Sequence, residues 1–101
     1  MSRRRAPRPA AGAFQAALQR VAPQTPLAAV QAVWPRVVGE HVAAVAAPVS
    51  QRGGTVTVAC ADAVSAQEFD LMQEVFLKRL QAELGERAPQ ALRFRLDPSR
   101  F

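Results

Sequence analysis

The stretch PVSQRGGTVTVACA, residues 48–61, decides the fold. Upstream of it the apolar residues recur every three or four positions. Inside it they alternate, with Val56, Val58 and Cys60 on one side of an extended chain and Thr55, Thr57 and Ala59 on the other. A short strand around Val49, a turn at Gln51-Arg52-Gly53-Gly54 and this alternating strand make a β-hairpin, because Gly-Gly adopts the positive φ angles of a tight turn. The register places Val56, Val58 and Cys60 inward.

Working upstream, Phe14, Ala17, Leu18 and Val21 follow helical spacing, and Pro23 stops that pattern. Thr25 is suited to cap a second helix and Pro26 to begin it; Leu27, Val30, Val33 and Trp34 share one face. Pro35 lacks an N–H and disfavours helix at the residue before it, so a kink or break is expected near Trp34. A further helical piece is expected over residues 36–46, with Val37, Val38, Val42 and Val45 inward. Gly39 within it suggests a close backbone approach. Two readings of Trp34 are open, a core plug and a partly exposed partner anchor.

Downstream, Asp62 or Ser65 can cap a long helix that Gly85 ends. Phe69, Met72, Phe76, Leu80 and Leu84 form its inward stripe, widened by Val75 and Leu77. Then Leu92, Phe94 and Leu96 alternate with Arg93 and Arg95, as in a half-buried strand. The element order is α-α-β-β-α-β. The expected fold class is therefore α+β, with helices packed on a three-stranded sheet.

With 101 residues and half of them hydrophobic, the chain suits one domain. The expected division is a disordered basic arm over residues 1–12 and a single domain over residues 13–101. Of 13 Lys and Arg against 8 Asp and Glu, four are Arg3, Arg4, Arg5 and Arg8; without them the balance falls from +5 to 9 − 8 = +1. The arm is open to two readings, a solubilising tail and a phosphate-binding arm. No apolar run is long enough to span a bilayer, and no apolar stretch follows the early arginines as in a signal peptide. Cytoplasmic localisation is expected.

Catalysis finds little support. The single cysteine, Cys60, falls on the inward face of a strand, where a small apolar thiol is the ordinary occupant. The single histidine, His41, lacks the companions a zinc site needs. Neither a Walker A loop nor a dinucleotide fingerprint is present. No catalytic residue, metal or cofactor is expected. Nucleic-acid binding is better supported. Arg93 and Arg95 project from the outer face of the last strand and Arg52 sits at the hairpin tip. Joined to the arm, they could follow a phosphate backbone; taken singly, they are ordinary outward charges that blunt strand edges.

Residues 27–97 resemble the DciA family of bacterial proteins. The resemblance rests on Trp34, on Val37-Val38-Gly39, on Pro48 and on the strand Gly54-Thr55-Val56-Thr57-Val58. It continues through Leu77, Leu80, Leu84 and Gly85 to Leu92-Arg93-Phe94. It implies a K-homology-like domain and a role at the replication fork. Members act with the DnaB-type replicative helicase, promote its loading on single-stranded DNA and bind DNA without being ATPases. The implied partners are therefore that helicase and single-stranded or forked DNA, with no membrane and no small-molecule substrate. Two departures stand out. Ser65 occupies the place where many members carry a second Trp. The chain also has no Gly pair at i, i+3, so the GxxG clamp of true K-homology domains is absent and DNA contact falls to Arg3, Arg4, Arg5, Arg8, Arg52, Arg93 and Arg95. Trp34 is the candidate helicase anchor. Two other functions remain open: an RNA-binding, ribosome-associated module, and a protein-interaction domain with an incidental basic tail.

Overall fold

The computed structural model describes residues 25–101. The expected boundary between arm and domain, and the helical pattern of residues 14–21, lie outside these. Helix α1 spans Pro26–Val38, α2 Glu40–Val45, β1 Ala46–Arg52, β2 Thr55–Cys60, α3 Ala63–Leu71, α4 Gln73–Leu84 and β3 Ala91–Leu96, with short 3₁₀ turns at Gly85–Arg87 and Pro98–Arg100. The architecture is α+β, as the change of period implies.

Thr25 caps α1, its hydroxyl oxygen accepting from the Ala28 N–H at 3.0 Å, and Pro26 occupies the first turn. The helix then runs through Pro35 to Val38 instead of breaking near Trp34. Proline within a helix costs about 3 kcal/mol. Here Pro35 and Gln31, whose carbonyl loses its donor, are exposed residues, while Trp34, Val37 and Val38 are buried, and that packing holds the helix together. The stop is Gly39, at φ 93° and ψ 160°. A Cβ there would meet nothing within 4 Å, so its dihedral angles and not a close approach call for glycine. The piece expected over residues 36–46 is reduced to α2, and the strand begins at Ala46, earlier than Pro48.

β2 is the central strand, antiparallel to β1 and parallel to β3. Arg52 pairs with Thr55 across Gly53-Gly54, and Gly53 takes φ 58°. Gly54 has its own constraint. Its carbonyl accepts the Gln90 and Ala91 N–H groups at 2.7 and 3.1 Å, and a Cβ would lie 2.9 Å from the Gln90 side chain. The hairpin turn thereby docks the start of β3. A register irregularity between Pro48 and Ser50 leaves Val49 out of the β1–β2 pairing, and Pro48 sits on an edge strand, where a missing donor is tolerated.

Val56, Val58 and Cys60 are buried as their spacing implies, and Thr55 and Thr57 are half-buried. Ala59 was expected outward and is also buried. It lies between Ala47 and Arg95 on the central strand, and a methyl group is too short to emerge between neighbouring strands.

Of the two candidate caps it is Asp62, not Ser65, that caps α3, accepting from the Ser65 N–H at 2.7 Å. The expected single long helix is two helices. Met72, at φ −98° and ψ 7°, interrupts it, and its N–H bonds the Phe69 carbonyl in a tighter turn. The break leaves Phe69, Phe76 and Leu80 buried but turns Met72 and Val75 outward. Phe69 and Phe76 join Trp34 and Phe94 in an aromatic cluster with centroids 6.1–6.3 Å apart. Leu96, expected inward, is half exposed at the end of edge strand β3.

Candidate nucleic-acid interface

The pleat and the register assign the sheet two faces. Ala46, Pro48, Val56, Val58, Cys60, Leu92 and Phe94 lie on the helix side. The opposite side carries Ala47, Ser50 and Arg52 from β1, Thr55, Thr57 and Ala59 from β2, and Ala91, Arg93 and Arg95 from β3. None of these nine is acidic. Three are arginines and three carry hydroxyls.

The register sets their relative places. Arg52 pairs with Thr55, whose other neighbour is Ala91; Ser50 pairs with Thr57, whose other neighbour is Arg93. Arg52 and Arg93 thus stand two strands and two residues apart, about 12 Å between Cα atoms by strand spacing and rise. Between them lies a shallow depression lined by Ser50, Arg52, Thr55, Thr57 and Arg93. Guanidinium groups at the rim and hydroxyls on the floor are the donors a phosphodiester would take. Among the described residues no aromatic side chain lies on this face, since Phe94 points to the helix side, so these strands offer bases no ring to stack on.

Arg95 differs from the other two. Its guanidinium lies 3.6 Å from Asp97, which Arg100 also meets at 3.6 Å. The Ser99 hydroxyl, donating to Asp97 Oδ1 at 2.6 Å, holds that carboxyl below its ordinary value, and Arg95 and Arg100 add to the effect. Arg95 therefore has a carboxylate partner, whereas Arg52 and Arg93 have none among the described residues. Sequence reasoning placed all three outward and missed this difference. Asp97, two residues beyond Arg95, was the available signal.

Arg3, Arg4, Arg5 and Arg8 lie outside the described residues. Trp34, considered as a partner anchor, is 2% exposed, and its indole Nε1 donates to the buried Ala46 carbonyl. It offers no surface to a partner, so the anchor reading is corrected to the core reading. Cys60 is fully buried, and burial first and then Asp62 push its thiol up, opposite to what a nucleophile needs. His41 is exposed. Among the described residues no three His, Cys, Asp or Glu gather as a metal site, and no helix is long and apolar enough to cross a membrane.

Residues 10–94 match the profile of a protein family described as "Dna[CI] antecedent, DciA". No curated protein matches the chain.

Proposed function

Because the chain belongs to the DciA family, whose role is the loading of replicative helicase, we propose that it is a non-enzymatic adaptor binding both the DnaB-type helicase and DNA. The family match carries the helicase half of this reading. The DNA half is supported by Arg52 and Arg93, which line one depression with Ser50, Thr55 and Thr57 on the sheet face away from the described helices. The basic arm, with Arg3, Arg4, Arg5 and Arg8, adds a second phosphate-binding element.

The element order supports taking the domain as K-homology-like with its GxxG clamp replaced by arginine contacts. The adaptor works in the cytoplasm beside the nucleoid. It positions helicase and single strand together, lowering the entropic cost of their encounter through local concentration.

The test is loading of the cognate helicase onto forked DNA with and without the full chain. Faster loading is expected, with no ATP hydrolysis by the adaptor alone. Absence of any association with the helicase would overturn the reading. A competition that favoured RNA over single-stranded DNA would replace it with the RNA-binding alternative.

A further inference from the structure

Beyond β3 the chain turns into a hook, Asp97–Phe101, that neither the core nor the Arg52–Arg93 depression uses. Its backbone is tied down along its length. The Asp97 N–H donates to the Cys60 carbonyl at 2.9 Å and extends the β2–β3 ladder by one residue. The Arg100 N–H donates to the Asp97 carbonyl at 3.2 Å and the Phe101 N–H to the Pro98 carbonyl at 3.1 Å. The Ser99 hydroxyl closes the turn on Asp97 Oδ1. On this hydrogen-bonded turn Phe101 is 52% exposed and stands apart from the core cluster. A flat π-face is thus held in water beside the end of the sheet.

Its setting is rich in arginine. Residues 91–101 carry Arg93, Arg95 and Arg100 against one carboxylate, Asp97. The pleat carries the outward side of β3 through Arg93 and Arg95 to Asp97, whose Oδ2 lies 3.6 Å from both the Arg95 and the Arg100 guanidinium groups. Arg100 therefore reaches the side of the sheet on which Arg52 and Arg93 stand. Each guanidinium has five N–H donors, and the one carboxylate between the two leaves donors over for a second anion. Asp62, which follows β2 at this end of the sheet, is turned to the N–H and hydroxyl of Ser65 at the head of α3.

We propose that the hook is a base-stacking subsite for single-stranded DNA: an unpaired base lies on the Phe101 ring while the neighbouring phosphates meet Arg100 and Arg95. An exposed ring beside guanidinium groups matches a nucleotide, which joins a π-face to an anion. A phenyl ring reads no base edge, so the subsite is indifferent to sequence. Bases inside a duplex already stack on one another, so it selects unpaired strands. Arg93 and Asp97 are four strand residues apart, about 13 Å, which a few nucleotides span. The subsite presupposes the DNA reading of the arginine face and adds what the strands lack, a ring. The sheet face grips any backbone; the hook tells unpaired from paired, which places the adaptor on the single-stranded side of a fork.

The experiment measures the affinity of the full chain and of its Phe101→Leu and Phe101→Trp variants for four ligands: a deoxythymidine homopolymer, the same strand built of abasic sugars, a duplex, and a uridine homopolymer. Phe101→Leu keeps an apolar residue and loses the π-face. It is expected to bind the deoxythymidine strand about fivefold or more weakly, with abasic-strand affinity, duplex affinity and thermal melting unchanged. Phe101→Trp is expected to bind at least as tightly as wild type, with its added emission quenched by the deoxythymidine strand and not by the abasic one; Trp34 is buried and gives a constant background. Equal affinity of wild type and Phe101→Leu for the deoxythymidine strand overturns the subsite and leaves binding at the sheet face standing. An equal loss on the abasic strand or the duplex shows that the ring acts through the fold of the hook and also overturns it. A loss confined to the uridine strand overturns the assignment to DNA. No binding of any of the four by wild type overturns both the subsite and the DNA half of the adaptor reading.

Discussion

The indole Nε1 of Trp34 donates to the carbonyl oxygen of Ala46 at 2.9 Å in the interior. This bond ties the last turns of α1 to the first residue of β1, and the Trp34 ring meets Phe76 of α4 edge-on at 6.1 Å. Trp34→Phe removes the donor and leaves both a buried carbonyl unpaired and a small void. Destabilisation of about 2–4 kcal/mol is expected, read as a lower urea midpoint at unchanged slope. A loss below half a kcal/mol would show that the bond contributes nothing.

Arg52 and Arg93 lack carboxylate partners among the described residues; Arg95 has one. Arg52→Ala/Arg93→Ala is therefore expected to weaken binding to single-stranded DNA and to reduce the log–log salt slope by about 1.4, at roughly 0.7 per phosphate. Arg95→Ala should cost less than either single change. A larger loss at Arg95 would contradict the geometry.

Asp97 restrains Arg95 and Arg100 together. Asp97→Asn removes one negative charge at the edge of the sheet face and frees both guanidinium groups. Tighter DNA binding and a steeper salt slope are expected; a titration at several salt concentrations checks this. The same carboxyl sets a pH dependence. Its folded value lies below the ordinary 3.8, so its contribution to stability is present above that value and is lost as pH falls below it. The Asp97→Asn variant should lose less stability than wild type between neutral pH and pH 3.

Residues 1–12 carry Arg3, Arg4, Arg5 and Arg8. Deleting them should remove roughly three units of salt slope if each meets one phosphate of a single strand. The remaining domain should keep weak DNA binding through the sheet face and still engage the helicase. Equal slopes for the full chain and the deletion would reduce the arm to a solubilising tail.

The change of period at residues 48–61 was enough to settle an α+β chain with a Gly-Gly hairpin. The caps at Thr25 and the stop at Gly85 were equally legible. Each depends on residues within about four positions, so local spacing and local hydrogen bonds decide them. Position 35 shows where that logic fails. Proline alone argues for a break near Trp34, yet burial of Trp34, Val37 and Val38 carries the helix on to Gly39. Met72 shows the converse: its apolar spacing fits a continuous stripe, but the turn at Phe69 breaks the helix and exposes it. The sequence placed Arg52, Arg93 and Arg95 on the outer side of strands. Only the parallel pairing of β3 beside β2 placed Arg93 across the depression from Arg52, and only the Ser99–Asp97 hydrogen bond and ion pairs set Arg95 apart. That β2–β3 pairing joins residues more than thirty positions apart. Local propensity carries no information on such contacts; they are decided when the helices bury their apolar faces against one side of the sheet.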